Sequence, residues 1–244
     1  MQHLDTSTVN VRGFLLTVLN GTHHGWKYRM YGDQYEALQR PAYDIGLKRP
    51  GAFVDVGANV GFYVLLAKAY DMSKRIYAVE PSPVNMHCLI ATIWRNALHG
   101  CTPIMAFAQD KHGFGTWGRE DETCDGMHTF DREVPFLVLD ELDIPQVGFA
   151  KLDVEGHEAQ VLRGFCATLK RDKPPIVVEV APWVMAARGS STAALLDVLG
   201  EIGYRQFTLF DFAKNAMVQK DSLKACGEYF DTLRVHGLDM LCQV

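Results

Sequence analysis

The run Phe53-Val54-Asp55-Val56-Gly57-Ala58-Asn59-Val60-Gly61-Phe62-Tyr63 constrains this chain more than any other stretch. An apolar segment ends in an acid, two glycines bracket an alanine–asparagine pair, and a helix-like apolar run over Phe62–Ala69 follows at once. The pattern reads as a buried strand, a tight turn and a helix start. Glycine permits such a turn because it has no Cβ, and lets a ligand approach the backbone. The first helical N–H groups have no intrahelical partner and face whatever occupies the turn.

The turn predicts a nucleotide-like ligand, but not a dinucleotide. A pyrophosphate-binding turn has the spacing G-x-G-x-x-G. Here the spacing is Gly57-Ala58-Asn59-Val60-Gly61, and Asn59 replaces the middle glycine. Asp55 would repel phosphate but suits a ligand bearing an ammonium group. S-adenosylmethionine has such an end, together with a sulfonium, a ribose and an adenine. The next apolar run, Arg75–Val79, ends in Glu80, one helix downstream. A parallel strand there would set a carboxylate beside the ribose hydroxyls, where it can accept two hydrogen bonds. The plain alternative makes Asp55 a turn cap and Glu80 a surface acid before Pro81.

These residues resemble the FkbM family of S-adenosylmethionine-dependent methyltransferases. The shared blocks are the D-x-G-A-N-x-G turn, the E-P-S-P that begins at Glu80, the approach Val134–Asp140, and Lys151-Leu152-Asp153-Val154-Glu155-Gly156-His157-Glu158. The resemblance spans about residues 50–185. Val138 departs from the usual threonine, and residues 1–50 match nothing in the family pattern. The resemblance implies a Rossmann-like class I methyltransferase: an α/β fold with a doubly wound, mostly parallel seven-stranded sheet whose last strand is antiparallel. It also suggests an acceptor of the sugar or secondary-metabolite class.

The order of segments agrees with that fold. Strands are expected at 52–56, 75–79, 102–108, 147–153, 175–180, 204–210 and 239–243, and helices at 60–70, 83–98, 157–169 and 191–202. In the second helix Met86, Leu89, Ile90, Ile93 and Ala97 form one stripe. Ser190 or Ser191 is the natural N-cap of the last. Alternating strands and helices imply parallel strands with right-handed crossovers. The chain of 244 residues suffices for one domain: a Rossmann-like core at 51–244 with residues 1–50 as an extension or cap. The segment 109–137 is expected to be a loop or hairpin at the ligand edge, either a lid or a decoration. The tyrosines and His23-His24-Gly25-Trp26 of the N-terminal piece either line the acceptor pocket or pack on the sheet edge.

Composition narrows the partners. A net charge of −5 without any basic run lacks the electrostatic footprint of a nucleic-acid enzyme. No apolar run approaches the length of a membrane span. The N-terminus shows no secretory signal, and the six cysteines are scattered with no C-x-x-C pair, as in a reduced, cytoplasmic protein. The expected partner is a small-molecule hydroxyl acceptor. A homo-oligomer is compatible with the sequence.

Ligands of open α/β sheets bind beyond the carboxyl ends of the strands. That edge collects the expected cofactor residues: Asp55, Gly57, Ala58, Asn59, Gly61, Glu80, Pro81, Ser82, Asp110 and Asp153. Asp110, after the third strand, is placed near adenine by analogy with the fold class, or else begins a loop by an Asx turn. The expected catalytic residues are Glu155, His157 and Lys151. Methyl transfer mainly needs alignment of acceptor, methyl and sulfur, and a hydroxyl acceptor must also lose a proton to a base. His157 titrates near neutrality when unperturbed, and Glu155 is the other base candidate. Lys151 shares a sheet face with Asp153 and would pair with it or steady an alkoxide. Alternatively Glu155, His157 and Glu158 only begin a helix, where acids complement the dipole. Mg2+ held by Asp153, Glu155 and Glu158 is the weaker option, and no metal ligand is assigned. The rival functions are N-methylation, where a base matters little, a non-catalytic S-adenosylmethionine-binding module, and a nicotinamide oxidoreductase.

Overall fold

The computed structural model describes residues 4–117, 132–233 and 237–244. The chain opens with an antiparallel hairpin, β1 (Thr6–Val11) and β2 (Phe14–Leu19). Its two-residue turn has positive φ at Arg12 and Gly13, the backbone that matches strand twist in a tight hairpin. Helices α1 (His23–Tyr31) and α2 (Arg40–Gly46) follow, joined by two short 3-10 turns.

The core then alternates. β3 (Ala52–Val56), α3 (Phe62–Tyr70), β4 (Ile76–Val79), α4 (Pro83–Arg95) and β5 (Cys101–Ile104) come first. A small second sheet holds β6 (Phe107–Ala108), β7 (Phe114–Trp117) and β8 (Arg132–Leu137). Next come β9 (Val147–Leu152), α5 (Glu158–Arg163), α6 (Cys166–Asp172), β10 (Ile176–Val180), α7 (Pro182–Ala187) and α8 (Thr192–Ile202). The chain closes with β11 (Gln206–Asp211), β12 (Ala216–Lys220), α9 (Leu223–Phe230) and β13 (Leu238–Gln243).

The main sheet has the order β12-β11-β13-β10-β9-β3-β4-β5. Strands β3, β4, β5, β9 and β10 pair in parallel, while β13 runs antiparallel between β10 and β11. From β3 the chain winds outward through β4 to β5, then returns to lay β9 on the other side. The order reverses between β3 and β9, and a crevice opens at such a switch point.

Among the described residues the sheet has eight strands where seven were expected. The addition, β12, is an edge strand of alternating part-buried and exposed residues. It is reached by a turn with Asn215 at φ 48°, and its weak apolar signal hid it. The expected strand 102–108 stops at Ile104, and Phe107 joins the small sheet instead. The expected helix 157–169 is two helices broken at Gly164, where a Cβ would lie 2.1 Å from the Gln109 carbonyl. Ile90 is exposed rather than part of the buried stripe of α4. Within 109–137, β7 and β8 form a hairpin, and its tip lies outside the described residues.

Alternation within the strands gives the sheet two differently packed faces. Val54, Val56, Ala150, Leu152 and Val178 pack with residues of α5, α6 and α8. Phe53, Ala78, Phe149 and Val177 pack with α3, α4 and the N-terminal residues Val11, Leu16, Tyr28, Tyr35 and Tyr43. Helix α3 is therefore buried from Phe62 to Lys68, as the apolar run Phe62–Ala67 requires, with the Lys68 ammonium donating to the Met72 and Lys74 carbonyls at 2.9 and 2.7 Å. The N-terminal segment forms a layer over it rather than a fringe.

Candidate active site

A cavity of about 540 Å³ opens at the carboxyl ends of β3, β4 and β9. Its floor is the turn Gly57-Ala58-Asn59. The turn is pinned by backbone bonds: the Gly57 and Ala58 amides donate to the Val79 carbonyl, and the Asp153 amide donates to Val56. Gly57, at φ 81°, has no room for a side chain, since a Cβ would sit 1.8 Å from the Asp153 carbonyl oxygen. This glycine is needed for strand crossing as well as for ligand approach.

Glu80 closes the turn from β4. Its Oε2 accepts from the Asn59 amide at 2.8 Å, and its Oε1 accepts from the Ser82 amide at 2.9 Å. Burial pushes its pKa up to about 7, against the lowering effect of those donors. Each carboxylate oxygen carries two lone pairs, so Glu80 keeps acceptor capacity toward the cavity it lines.

Gly57, Ala58, Asn59, Glu80, Pro81 and Asp153 line the cavity, as do Lys151, Glu155 and His157. Four residues expected around the cofactor do not. Asp55 is fully buried within β3, in register with Lys151, and neither of its carboxylate oxygens has a hydrogen-bond partner among the described residues. Burial pushes it up to about 6, opposed by the Lys151 charge. Gly61 is the N-cap of α3 and packs against Leu89. Ser82 is the N-cap of α4 and steadies Glu80. Asp110 is exposed beside Arg163, at 3.8 Å, and its neighbour Gln109 reaches the cavity instead. For Asp55, Ser82 and Asp110 an adjacent residue takes the wall instead, namely Val56, Pro81 and Gln109, because successive side chains along an extended segment face opposite ways.

Lys151 donates to Asp153 at 2.9 Å and lies 4.9 Å above the Tyr63 ring. Burial disfavours its charge, but Asp153 and Asp55 outweigh that and hold it protonated well above the ordinary lysine range. Lys151 is thus a fixed cation rather than a proton acceptor. Asp153 pays the cost of burial yet stays below the usual carboxylate range, chiefly through Lys151. Tyr63 in turn donates a short hydrogen bond to Glu36, which also accepts from Gln39 at 2.7 Å.

The candidate reactive loop, residues 153–157, follows β9. Glu155 and Gly156 both have positive φ, at 53° and 96°, a backbone that a glutamate rarely adopts. Glu158 holds this shape: its Oε1 accepts from the Val154 and Gly156 amides, each at 3.1 Å. Glu155 is pushed up to about 7, first by burial and then by Asp153, with His24 and Arg188 acting the other way. His157 stands at the N-cap of α5, makes no capping bond there, and lines the cavity. Among the described residues no group of three His, Cys, Asp or Glu side chains has the arrangement a metal ion needs.

Of the remaining walls the sequence marked only Glu179, at the end of the Ile176–Val178 run, as an acceptor contact or a rim acid. Tyr28, Tyr35 and Glu36 come from the N-terminal layer, with His23, His24 and Lys27 of α1. Glu179 at the end of β10 and Arg188 after α7 complete the far side. The closely spaced aromatic and histidine residues of segment 23–43 were a signal for these walls, but one that pointed more to sheet-edge packing than to a pocket.

The methyl donor can be tested against these groups. The Glu179 Oε2, buried at the cavity, has no hydrogen-bond partner among the described residues. Asp153 offers a charged acceptor for an ammonium, the Glu179 carboxyl beside it is pushed well above the usual carboxylate range by burial and then by Asp153, and Glu80 offers acceptors for a diol. The residues present fit S-adenosylmethionine.

Comparison with known proteins agrees. The model of the methyltransferase FkbM domain matches residues 55–206. No curated protein matches the chain. Among solved structures, methyltransferase FkbM from Methylobacillus flagellatus KT is 16% identical with a TM-score of 0.51 over 78% of this chain. This chain covers only 43% of that one. TYW2 from M. jannaschii, in complex with AdoMet, is 15% identical with a TM-score of 0.51, covering 100% of this chain and 89% of its own. At such identities the likeness is one of fold. The family match takes in the turn, Glu80 and the reactive loop, and extends over more than half of the sequence: the chain belongs to the FkbM methyltransferase family.

Proposed function

We propose that the protein transfers a methyl group from S-adenosylmethionine to a hydroxyl of a small molecule, a sugar or a secondary-metabolite alcohol. When bound, S-adenosylmethionine supplies an electrophilic methyl on a sulfonium centre. The turn Gly57-Ala58-Asn59 and Pro81 bound its nucleoside side, Glu80 accepts from the ribose hydroxyls, and Asp153 with Glu179 receives the ammonium. Gln109, with Ala108 and Phe136, frames the adenine wall.

The observation that carries the hydroxyl reading is Glu155. A carboxylate at about 7, presented by a strained turn on the cavity wall, is matched to take a proton near neutral pH. His157 stands beside it as a second acceptor of that proton. Lys151, permanently charged, orients Asp153. The volume of the cavity suits a small ligand, and the acidic balance of the chain argues for an acceptor other than nucleic acid. The five described cysteines form no disulfide, which supports a reducing, cytoplasmic setting. No helix of the described residues is long and apolar enough to cross a membrane.

Incubation with methyl-labelled donor and matched alcohol and amine acceptors tests this. Transfer to alcohols, lost in Glu155→Gln, is the expected result. Transfer to amines alone, with Glu155→Gln and His157→Ala still active, would indicate N-methylation. Tight donor binding without transfer to any acceptor would indicate a binding module. Stabilisation by NAD in preference to S-adenosylhomocysteine would remove the donor assignment.

A further inference from the structure

The charges around the cavity fall into two groups. The carboxylates near the turn already have internal partners. Glu80 holds two backbone amides, Asp153 holds Lys151, and Glu36 holds Tyr63 and Gln39. Three basic side chains, His24, Lys27 and Arg188, also line the cavity. His24 and Lys27 lie three residues apart on α1, hence on one helix face, and both line the cavity. Arg188 lines it from the end of α7, with its stem against the reactive loop, since a Cβ on Gly156 would lie 3.1 Å from the Arg188 Cγ. His24 and Arg188 both act on Glu155. Lys27, half-buried, makes no ion pair among the described residues. A half-desolvated ammonium in a cavity wall gains most from an anion delivered by the ligand.

We propose that the acceptor is a hydroxyl compound that also carries an anionic group, a carboxylate or a phosphate ester, seated on Lys27 between His24 and Arg188 with its hydroxyl at Glu155. This rests on the methyl-transfer reading and narrows its substrate class. The α1 residues lie outside the matched family segment of 55–206, so the anion seat is a property of this chain's own N-terminal layer. The competing occupant is the donor's own carboxylate, and the test separates the two.

The full chain is incubated with the small-molecule pool of its source cells and methyl-labelled donor, and the labelled product is run on an anion exchanger at neutral pH. The expected product is retained. Loss of retention after phosphatase marks a phosphate ester, and retention after phosphatase marks a carboxylate. For the retained acceptor, Lys27→Gln is expected to raise KM about tenfold with kcat little changed, the loss of one charge-assisted contact, while the dissociation constant of S-adenosylhomocysteine stays the same. A labelled product that flows through overturns the anion seat and leaves methyl transfer standing. Weakened S-adenosylhomocysteine binding in Lys27→Gln assigns the cation to the donor and also overturns it. Absence of any labelled product counts against both readings together.

Discussion

Glu155 joins two properties that seldom meet in one residue, a left-handed backbone and a carboxylate pushed up to about 7. Its active form as a base is the deprotonated one. Activity on a hydroxyl acceptor should therefore rise with pH through about 7, and Glu155→Gln should lower kcat by roughly 10²-fold or more and abolish that inflection. A pH–rate profile unchanged in the variant would remove Glu155 from proton transfer. Glu80 invites a binding measurement: Glu80→Ala should weaken S-adenosylhomocysteine binding by about 1–3 kcal/mol, the range for lost hydrogen bonds to a charged group. Lys151 invites a stability measurement. Its pKa is raised on folding, so its contribution is fully present below about pH 10 and is lost only above that, outside the working range. Lys151→Met strands Asp153 and Asp55 without their counter-ion and should cost about 3–5 kcal/mol in urea unfolding. At this scale the turn, Glu80 and Lys151, Asp153, Glu155 and His157, all singled out from the sequence, line the cavity. The sequence assigned Asp55 and Asp110 to walls they do not reach, because motif spacing gives position along a strand but not which neighbour's side chain fills the gap.

At the scale of elements, the N-terminal layer is the main departure from what the motifs suggested. Tyr43 of α2 is fully buried and stacks on Tyr63 at 4.6 Å, and Tyr63 supports Lys151. Tyr43→Ala should cost about 3–5 kcal/mol, the range for deleting a large buried side chain, and should also lower methyl transfer by releasing Tyr63. A variant with wild-type stability would show that the layer is only loosely applied. Gly57 behaves as a structural residue of the β3–β9 junction. Any side chain there meets the Asp153 carbonyl, so Gly57→Val should fail in folding as well as in binding, and a stably folded, non-binding variant is not expected. Strands β3, β4, β9 and β10 were visible in the sequence because each is a short, predominantly apolar run, interrupted only by Asp55, Lys151 and Glu179, the mark of a strand buried on both faces. Edge strand β12 and helix α9 were not, because each buries too few residues to impose a clear period.

Across the whole molecule, burial dominates the electrostatics of the site. Asp55 is pushed up to about 6, and Glu80, Glu155 and Glu158 each to about 7, with burial the leading cause in every case. Groups that bind protons more tightly when folded stabilise the fold fully below the ordinary carboxylate range. That stability is lost as pH climbs through about 6 to 7. Asp172 and Asp211 are lowered by their partners and act oppositely, with their contributions lost only as pH falls below the carboxylate range. The ligand-free protein should therefore be most stable near about pH 4 and lose at least about 2 kcal/mol by about pH 8. A urea midpoint that rises over that interval would contradict this account. The sequence by itself determined the turn after β3, the alternation that makes the sheet mostly parallel, and the loop after β9, because these rest on backbone conformation and burial patterns written within a dozen neighbouring residues. Only the tertiary structure decided that residues within 23–36 line the cavity, that Tyr63 and Glu36 stand behind Lys151, and that Asp55 lies beneath the cavity rather than in it. Those contacts join segments far apart in the chain, and no local period or spacing records which distant side chain will arrive.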